Sequence, residues 1–424
     1  MRRLLIGLLV ISVACGRVQP QPISSHLAVT TSPAAATSPA MTPTPSSSDP
    51  SPSPNPSFSA TASPSRQSSP PPVPPSVSAS LVFAALESKS ASTTGWGHDT
   101  VVLVGLDGLE RAKATFKPLY PPDIACLGTT PPPTAFVAAG KVLFADGNGL
   151  IQSLSTSGQL QTVTTFSLTG QQMLSFAVSP NGSQLMASIL TVPPVTPSGR
   201  VCGAKPWYAG TISQDVFSAA VGGIPKLMQH QTVPEDSPST LNMSGVACHL
   251  EFVGWDLVGP FATYPTCFGP GGGPVQYRGP VVTVDAATGL ILRQLADPHT
   301  CWVEDVVVSG TFICNLGGLL GRDISVRQAD GTEIWRITAQ PNGGYPYPFL
   351  SPDEQHVLAG TGAEVVGRDG TDLKLSGTYF NGWLDSSTVI GGAANGNLAY
   401  LSLKSPTALI DMGFQGLFVG TVQT

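Results

Sequence analysis

The sequence predicts an all-β fold, a seven-bladed β-propeller, on three observations. From Leu81 onward sustained 3.6-residue periodicity is missing, and short apolar runs separated by turn residues take its place. Seven turn dipeptides recur at a mean spacing of about 50 residues, the length of a four-stranded blade. Composition agrees: 11% of the 424 residues are charged and 46 are Gly and 41 Pro, which suits many turns and few charged helix faces. Six or eight blades would fall in the same class.

The chain opens with a segment that is not part of that fold. Arg2 and Arg3 precede the apolar run Leu4 to Val13, and the small residues Ser12-Val13-Ala14 end it at Cys15, the plan of an export signal over residues 1–14. Ten residues are too few to span a bilayer, which takes about 20. The segment resembles the lipobox of bacterial lipoproteins, in which the cysteine becomes the first residue and carries the lipid. Ser12 stands where that motif has Leu, so lipid attachment at Cys15 and cleavage by ordinary signal peptidase are both open. Either route places the rest of the chain outside the cytoplasmic membrane, and the first anchors it there.

Residues 15–80 form the second region. Sixteen prolines lie among Ser, Thr and Ala between Gly16 and Ser80, a composition that cannot bury enough apolar surface to offset ordering. A disordered spacer is expected, with a reach of about 3.1 Å per residue at most. Net charge of -6 and the lack of a basic cluster leave no footprint for nucleic acid or for a lipid headgroup surface.

The propeller is expected over residues 81–424. Its β-rich runs are Val101 to Leu106, Lys141 to Ala145, Leu174 to Val178, Val281 to Val284, Ile324 to Val326 and Leu398 to Leu403. Its turns are Asp107-Gly108, Ser157-Gly158, Gly222-Gly223, Thr288-Gly289, Asp330-Gly331, Asp369-Gly370 and Ser405-Pro406, where glycine supplies the positive φ of tight hairpins. The third and fourth intervals are overlong, through Thr191 to Trp207 and Cys267 to Gly279, and these are expected as loops projecting from blades three and four.

Two motifs give the propeller a family likeness. Phe176-Ala177-Val178-Ser179-Pro180-Asn181-Gly182 and Phe349-Leu350-Ser351-Pro352-Asp353 resemble the Ser-Pro-Asp-Gly element of WD40-like repeats in TolB-type proteins. The second copy has Glu354 in place of Gly. Asp285-Ala286-Ala287-Thr288-Gly289 resembles the Asp-x-x-Thr-Gly turn of quinoprotein-type (PQQ-like) repeats, with Leu292 in place of Trp. What the resemblance implies is a propeller whose Ser-Pro turns join the inner strand of each blade to the next.

Seven cysteines divide into Cys15 and an even set of six, Cys126, Cys202, Cys248, Cys267, Cys301 and Cys314, which in an exported domain reads as up to three disulfides. Cys248 and Cys267 are symmetric about Leu257-Val258 and are expected to pair across a hairpin. Cys301 and Cys314 flank Ser309-Gly310 about two positions off centre. By elimination Cys126 would join Cys202.

A catalytic constellation is not evident. No Gly-x-Ser-x-Gly elbow occurs, and Asp330 to Trp335 reads as a blade turn with a packing Trp. One such Trp turn is too few for a quinone site, so no cofactor is expected. His299, Glu304 and Asp305 could converge on a metal, but adjacent Glu304 and Asp305 point to opposite faces of a strand, and a solvated strand end is the preferred reading; no metal is expected. His249 and Glu251 read as a polar pair on one face. Aromatic contact candidates are Trp96 and His98, Trp207 and Tyr208, Tyr277, Tyr345 and Tyr347. The expected function is a non-catalytic, surface-exposed lipoprotein acting as a binding or scaffold module for a protein or glycan, monomeric, with a propeller enzyme of the cell envelope (glycan-active hydrolase or quinone-dependent dehydrogenase) as the alternative.

Overall fold

A computed structural model describes residues 81–87, 99–117, 134–169, 171–197, 208–233, 249–263, 280–297, 300–316, 323–338, 348–359, 363–376 and 379–422. These form seven four-stranded antiparallel sheets and no helix. Blade one contains β1 (Val82–Glu87), β2 (Thr100–Gly105) and β3 (Glu110–Thr115). Blade two contains β4 (Ala135–Ala138), β5 (Lys141–Ala145), β6 (Leu150–Ser155) and β7 (Leu160–Thr165), and blade three β8 (Gln172–Val178), β9 (Gln184–Thr191), β10 (Ile212–Ala220) and β11 (Lys226–Val233). Blade four runs β12 (Glu251–Trp255), β13 (Pro260–Thr263), β14 (Val281–Val284) and β15 (Ile291–Gln294), and blade five β16 (Cys301–Val306), β17 (Phe312–Leu316), β18 (Asp323–Arg327) and β19 (Glu333–Ile337). Blade six has β20 (Phe349–Leu350), β21 (His356–Ala359), β22 (Glu364–Gly367) and β23 (Asp372–Lys374), and blade seven β24 (Tyr379–Asp385), β25 (Thr388–Gly392), β26 (Leu398–Ser402) and β27 (Ile410–Asp411). The last strand, β28 (Leu417–Val422), pairs antiparallel with β1 and completes blade one.

The ring closes because the end of the chain supplies the inner strand that its beginning lacks. Around most of the ring the first strands of neighbouring blades touch one another, β28 lying against both β24 and β4. Burial falls outward: β8, β12, β14 and β17 are largely buried, whereas the fourth strands β11, β15, β23 and β27 are mostly exposed. The core is a series of apolar seams between neighbouring sheets, for instance Val253, Phe261, Val303 and Phe312 between blades four and five.

Each of the seven expected turn dipeptides lies between the third and fourth strands of its blade. Most of these turns are closed by an Asp whose carboxylate accepts the N-H two residues on, as at Asp107, Asp285, Asp330 and Asp369. Those bonds hold the four exposed carboxyls below their ordinary range. The Ser-Pro turns join first to second strands, as the resemblance implied. Ser179 Oγ accepts the N-H groups of Ser183 and Gln184, and Ser351 Oγ that of His356. Glu354 adopts φ of 62°, the left-handed conformation glycine would take, and its carboxylate meets Ser309 Oγ of blade five at 2.5 Å.

A feature that sequence reading missed recurs on the inner strands. Val253, Glu304, Asn381 and Val419 are each the extra residue of a β-bulge between the first two strands of a blade. A bulge increases local twist, as strands converging on an axis require. Three of the four lie in a Phe-x-Gly signature: Phe252-Val253-Gly254, Phe380-Asn381-Gly382 and Phe418-Val419-Gly420. A Cβ on Gly254 would stand 2.2 Å from the Phe261 ring, and one on Gly382 2.6 Å from that of Phe418. At these two positions the glycine is therefore set by the aromatic ring packed against it, while Gly420 faces Val137.

Candidate binding face

Antiparallel order divides the connections between two faces. Links from first to second and from third to fourth strands emerge at one end of the ring, and they run to seven residues at most (403–409). Links from second to third strands and from blade to blade emerge at the other end. Every longer connection is there: 88–99, 116–134, 192–211, 234–250, 264–280 and 338–348. The overlong third and fourth intervals lie between the second and third strands of blades three and four, and the described strands that bound them end on this long-connection face.

The aromatic candidates fall in these same connections by chain order. Trp96 and His98 belong to 88–99, Trp207 and Tyr208 to 192–211, Tyr277 to 264–280, and Tyr345 and Tyr347 to 338–348. Only Tyr208 is among the described residues; the other six lie outside them. Tyr208 is not an exposed anchor: it is buried in the core of blade three and bridges to Val195.

Cysteines follow the same division. Cys126, Cys202, Cys248 and Cys267 lie outside the described residues, as do Cys15 and residues 1–80. Cys301 and Cys314 form a disulfide, with Cα atoms 5.1 Å apart. In the register of β16 and β17 Cys301 faces Leu316 and Cys314 faces Val303, which is the two-position offset expected from the turn. The turn between β12 and β13 is at Asp256 to Gly259, where symmetry placed it, but the bulge at Val253 shifts the register there by one residue.

The inner edge of the ring is an unpaired sheet edge, and neighbouring blades satisfy it. Phe252 N donates to Ser175 Oγ of blade three at 3.1 Å, and Leu350 N to Asp305 Oδ2 of blade five at 2.8 Å. Trp383 Nε1 donates to Phe349 O at 3.1 Å, and Thr421 Oγ1 to Leu384 O at 2.8 Å. Gln214, fully buried, clasps the Leu250 peptide from both sides, accepting its N-H at 3.1 Å and donating to its C=O at 2.6 Å.

Two polar groups near the axis differ from their expected setting. Glu304 and Asp305 are not solvated: both are buried, because the bulge at Glu304 carries this pair inside the seams. Burial pushes the Glu304 carboxyl up to about 8, and the Asp305 charge adds to the effect. Burial likewise pushes Asp305 up to about 7, against the bond from Leu350 N-H. His299 lies outside the described residues. His249 and Glu251 are a buried pair, Nε2 to Oε1 at 2.7 Å, beside the start of β12. Among the described residues no three His, Cys, Asp or Glu side chains are grouped to hold a metal.

No family model and no curated protein matches the chain. Solved structures of similar chain path include an oligogalacturonate lyase from Vibrio parahaemolyticus, at 10% identity and TM-score 0.43 over 78% of this chain and 91% of that one. The dihydro-heme d1 dehydrogenase NirN is similar at 10% identity and TM-score 0.41, over 81% and 75% of the two chains. A streptogramin B lyase is similar at 11% identity and TM-score 0.36, over 78% and 98%. Likeness at this level extends to the chain path and not to the activity of any of these proteins; the blade count rests on the strand order above.

Proposed function

We propose that the chain is an exported binding module, a propeller held at the membrane by a lipid on Cys15 and a Ser/Pro spacer, which engages a protein or glycan through its long-connection face. One observation carries the reading: all connections longer than seven residues share one face, while Val82, where the chain joins the propeller, stands beside Gly105 at the opposite, short-turn face. A ligand face turned away from the point of attachment suits a tethered receptor. One variant of the full chain tests the anchor and two double variants test the face. The parent is expected to incorporate labelled fatty acid and Cys15→Ser protein is not, and an unlabelled parent would refute the anchor. Double variants Trp207→Ala/Tyr277→Ala and Tyr345→Ala/Tyr347→Ala are expected to lose at least about tenfold in capture of the envelope component that the parent retains. Equal capture by all three would refute the binding face.

A further inference from the structure

The short-turn face is not uniformly polar. Most of its tips are Asp-Gly, Asn-Gly, Ser-Gly or Ser-Pro turns, but in blades three to five large aliphatic side chains stand exposed beside them. Ile224 is 92% exposed, Leu257 74%, Val258 60%, Leu292 61% and Val308 57%, with Leu227, Leu290 and Ile291 about half exposed beside them. The blades join these tips into one stretch. Leu257 N donates to Val308 O at 2.8 Å, linking blades four and five, and Gln229 Nε2 donates to Thr288 O at 3.1 Å, linking blades three and four. The one carboxylate of the Leu257-Val258 turn, Asp256, is buried beneath it and accepts the N-H groups of Val258 and Gly259, so only hydrocarbon is offered at the tip. Contiguous exposed aliphatic surface of this kind marks an interaction site.

We infer that this stretch docks on the hydrocarbon boundary of the lipid bilayer, seating the propeller on the membrane by its short-turn face. Chemistry separates this occupant from a protein partner. Protein interfaces concentrate binding in Trp, Tyr and Arg, whereas the large apolar side chains exposed at these tips are Leu, Ile and Val with no aromatic among them, Lys226, Thr288, Ser309 and Asp330 standing exposed beside them. Insertion into lipid needs only buried apolar area. The point of entry agrees: Val82, the first residue of β1, stands beside Gly105 on this same face. With no basic cluster in the sequence, docking is apolar and insensitive to salt and to anionic lipid.

The inference rests on the proposed membrane linkage, and its test removes that linkage. The mature chain bearing Cys15→Ser, which has no lipid, is mixed with vesicles of phosphatidylcholine alone or with phosphatidylglycerol added, and floated. It is expected to rise with both kinds of vesicle, equally at low and high salt. Adding Ile224→Ser, Leu257→Ser, Val258→Ser and Leu292→Ser should lower the vesicle-bound fraction at least about tenfold, while Leu109→Ser with Leu409→Ser, on the same face in blades one and seven, should not. If the fourfold variant loses its native circular dichroism, the pairs Ile224→Ser/Leu292→Ser and Leu257→Ser/Val258→Ser take its place, each with an intermediate loss. Absence of flotation, or flotation unchanged by the substitutions, overturns the docking and leaves the lipid anchor standing. A concentration-dependent dimer of the parent that the variant abolishes also overturns it, in favour of a second copy of this chain.

Discussion

Glu304 joins sequence, packing and pH in one side chain. As the extra residue of a bulge it is carried into the interior beside Asp305, and both carboxyls bind protons more tightly folded than unfolded. The pair's full stabilisation is therefore present below the unfolded values near about 4, is lost as pH rises through about 7 to 8, and stays lost above. Thermal midpoints measured from pH 5 to 8.5 (on the order of the unfolded and folded values) should fall by several degrees, and Glu304→Gln should flatten that slope and raise the midpoint at the alkaline end. A parallel slope in the variant would refute the assignment. Gly254 shows the opposite dependence on a neighbour. Its Cβ position is already occupied by the Phe261 ring, so Gly254→Ala should cost about 1–3 kcal/mol by overpacking, read as a lower urea midpoint at unchanged slope.

Hairpins were legible because their determinants are local. Asp107-Gly108, Asp330-Gly331 and Asp369-Gly370 combine a carboxylate for the turn N-H with a residue free to take positive φ. The strands Lys141 to Ala145 and Val281 to Val284 end where the apolar runs end. Bulges escaped because their glycines answer to tertiary contacts, the Phe261 ring at Gly254, the Phe418 ring of blade one at Gly382 and Val137 of blade two at Gly420, although the repeated Phe-x-Gly triplet was visible without a structure. Cys301 and Cys314 lie between these cases: the turn set their offset, and the diagonal approach of 5.1 Å between Cα atoms came from strand twist. Opening that 13-residue separation by Cys301→Ala with Cys314→Ala should cost about 3 kcal/mol by loop closure, and non-reducing peptide mapping should find the two joined. Free thiols at both would refute it.

Closure belongs to the whole molecule. β1 would be an open edge on its inner side without β28, and the apolar seam containing Phe83, Leu384 and Ile390 would lose its lid. A chain ending at Gly416 should therefore lose cooperative unfolding and aggregate, as analytical ultracentrifugation with circular dichroism would show. A monomeric truncation with native stability would mean the ring does not depend on that strand.

Composition, turn spacing and alternating apolar runs were enough to determine an all-β ring of seven units, since each unit is specified within about 50 residues of its own chain. The sequence also carried every long connection and candidate aromatic, but not their common side. That was decided by the antiparallel order of strands, which sends odd and even connections to opposite faces, and by a terminal strand that pairs Val422 with Val82 and so closes the seven blades. The burial of Glu304, Asp305 and Tyr208, and the joining of aliphatic tips from three blades, were likewise tertiary outcomes. Each depends on which sheet packs against which, and neighbours so distant in sequence leave no local trace.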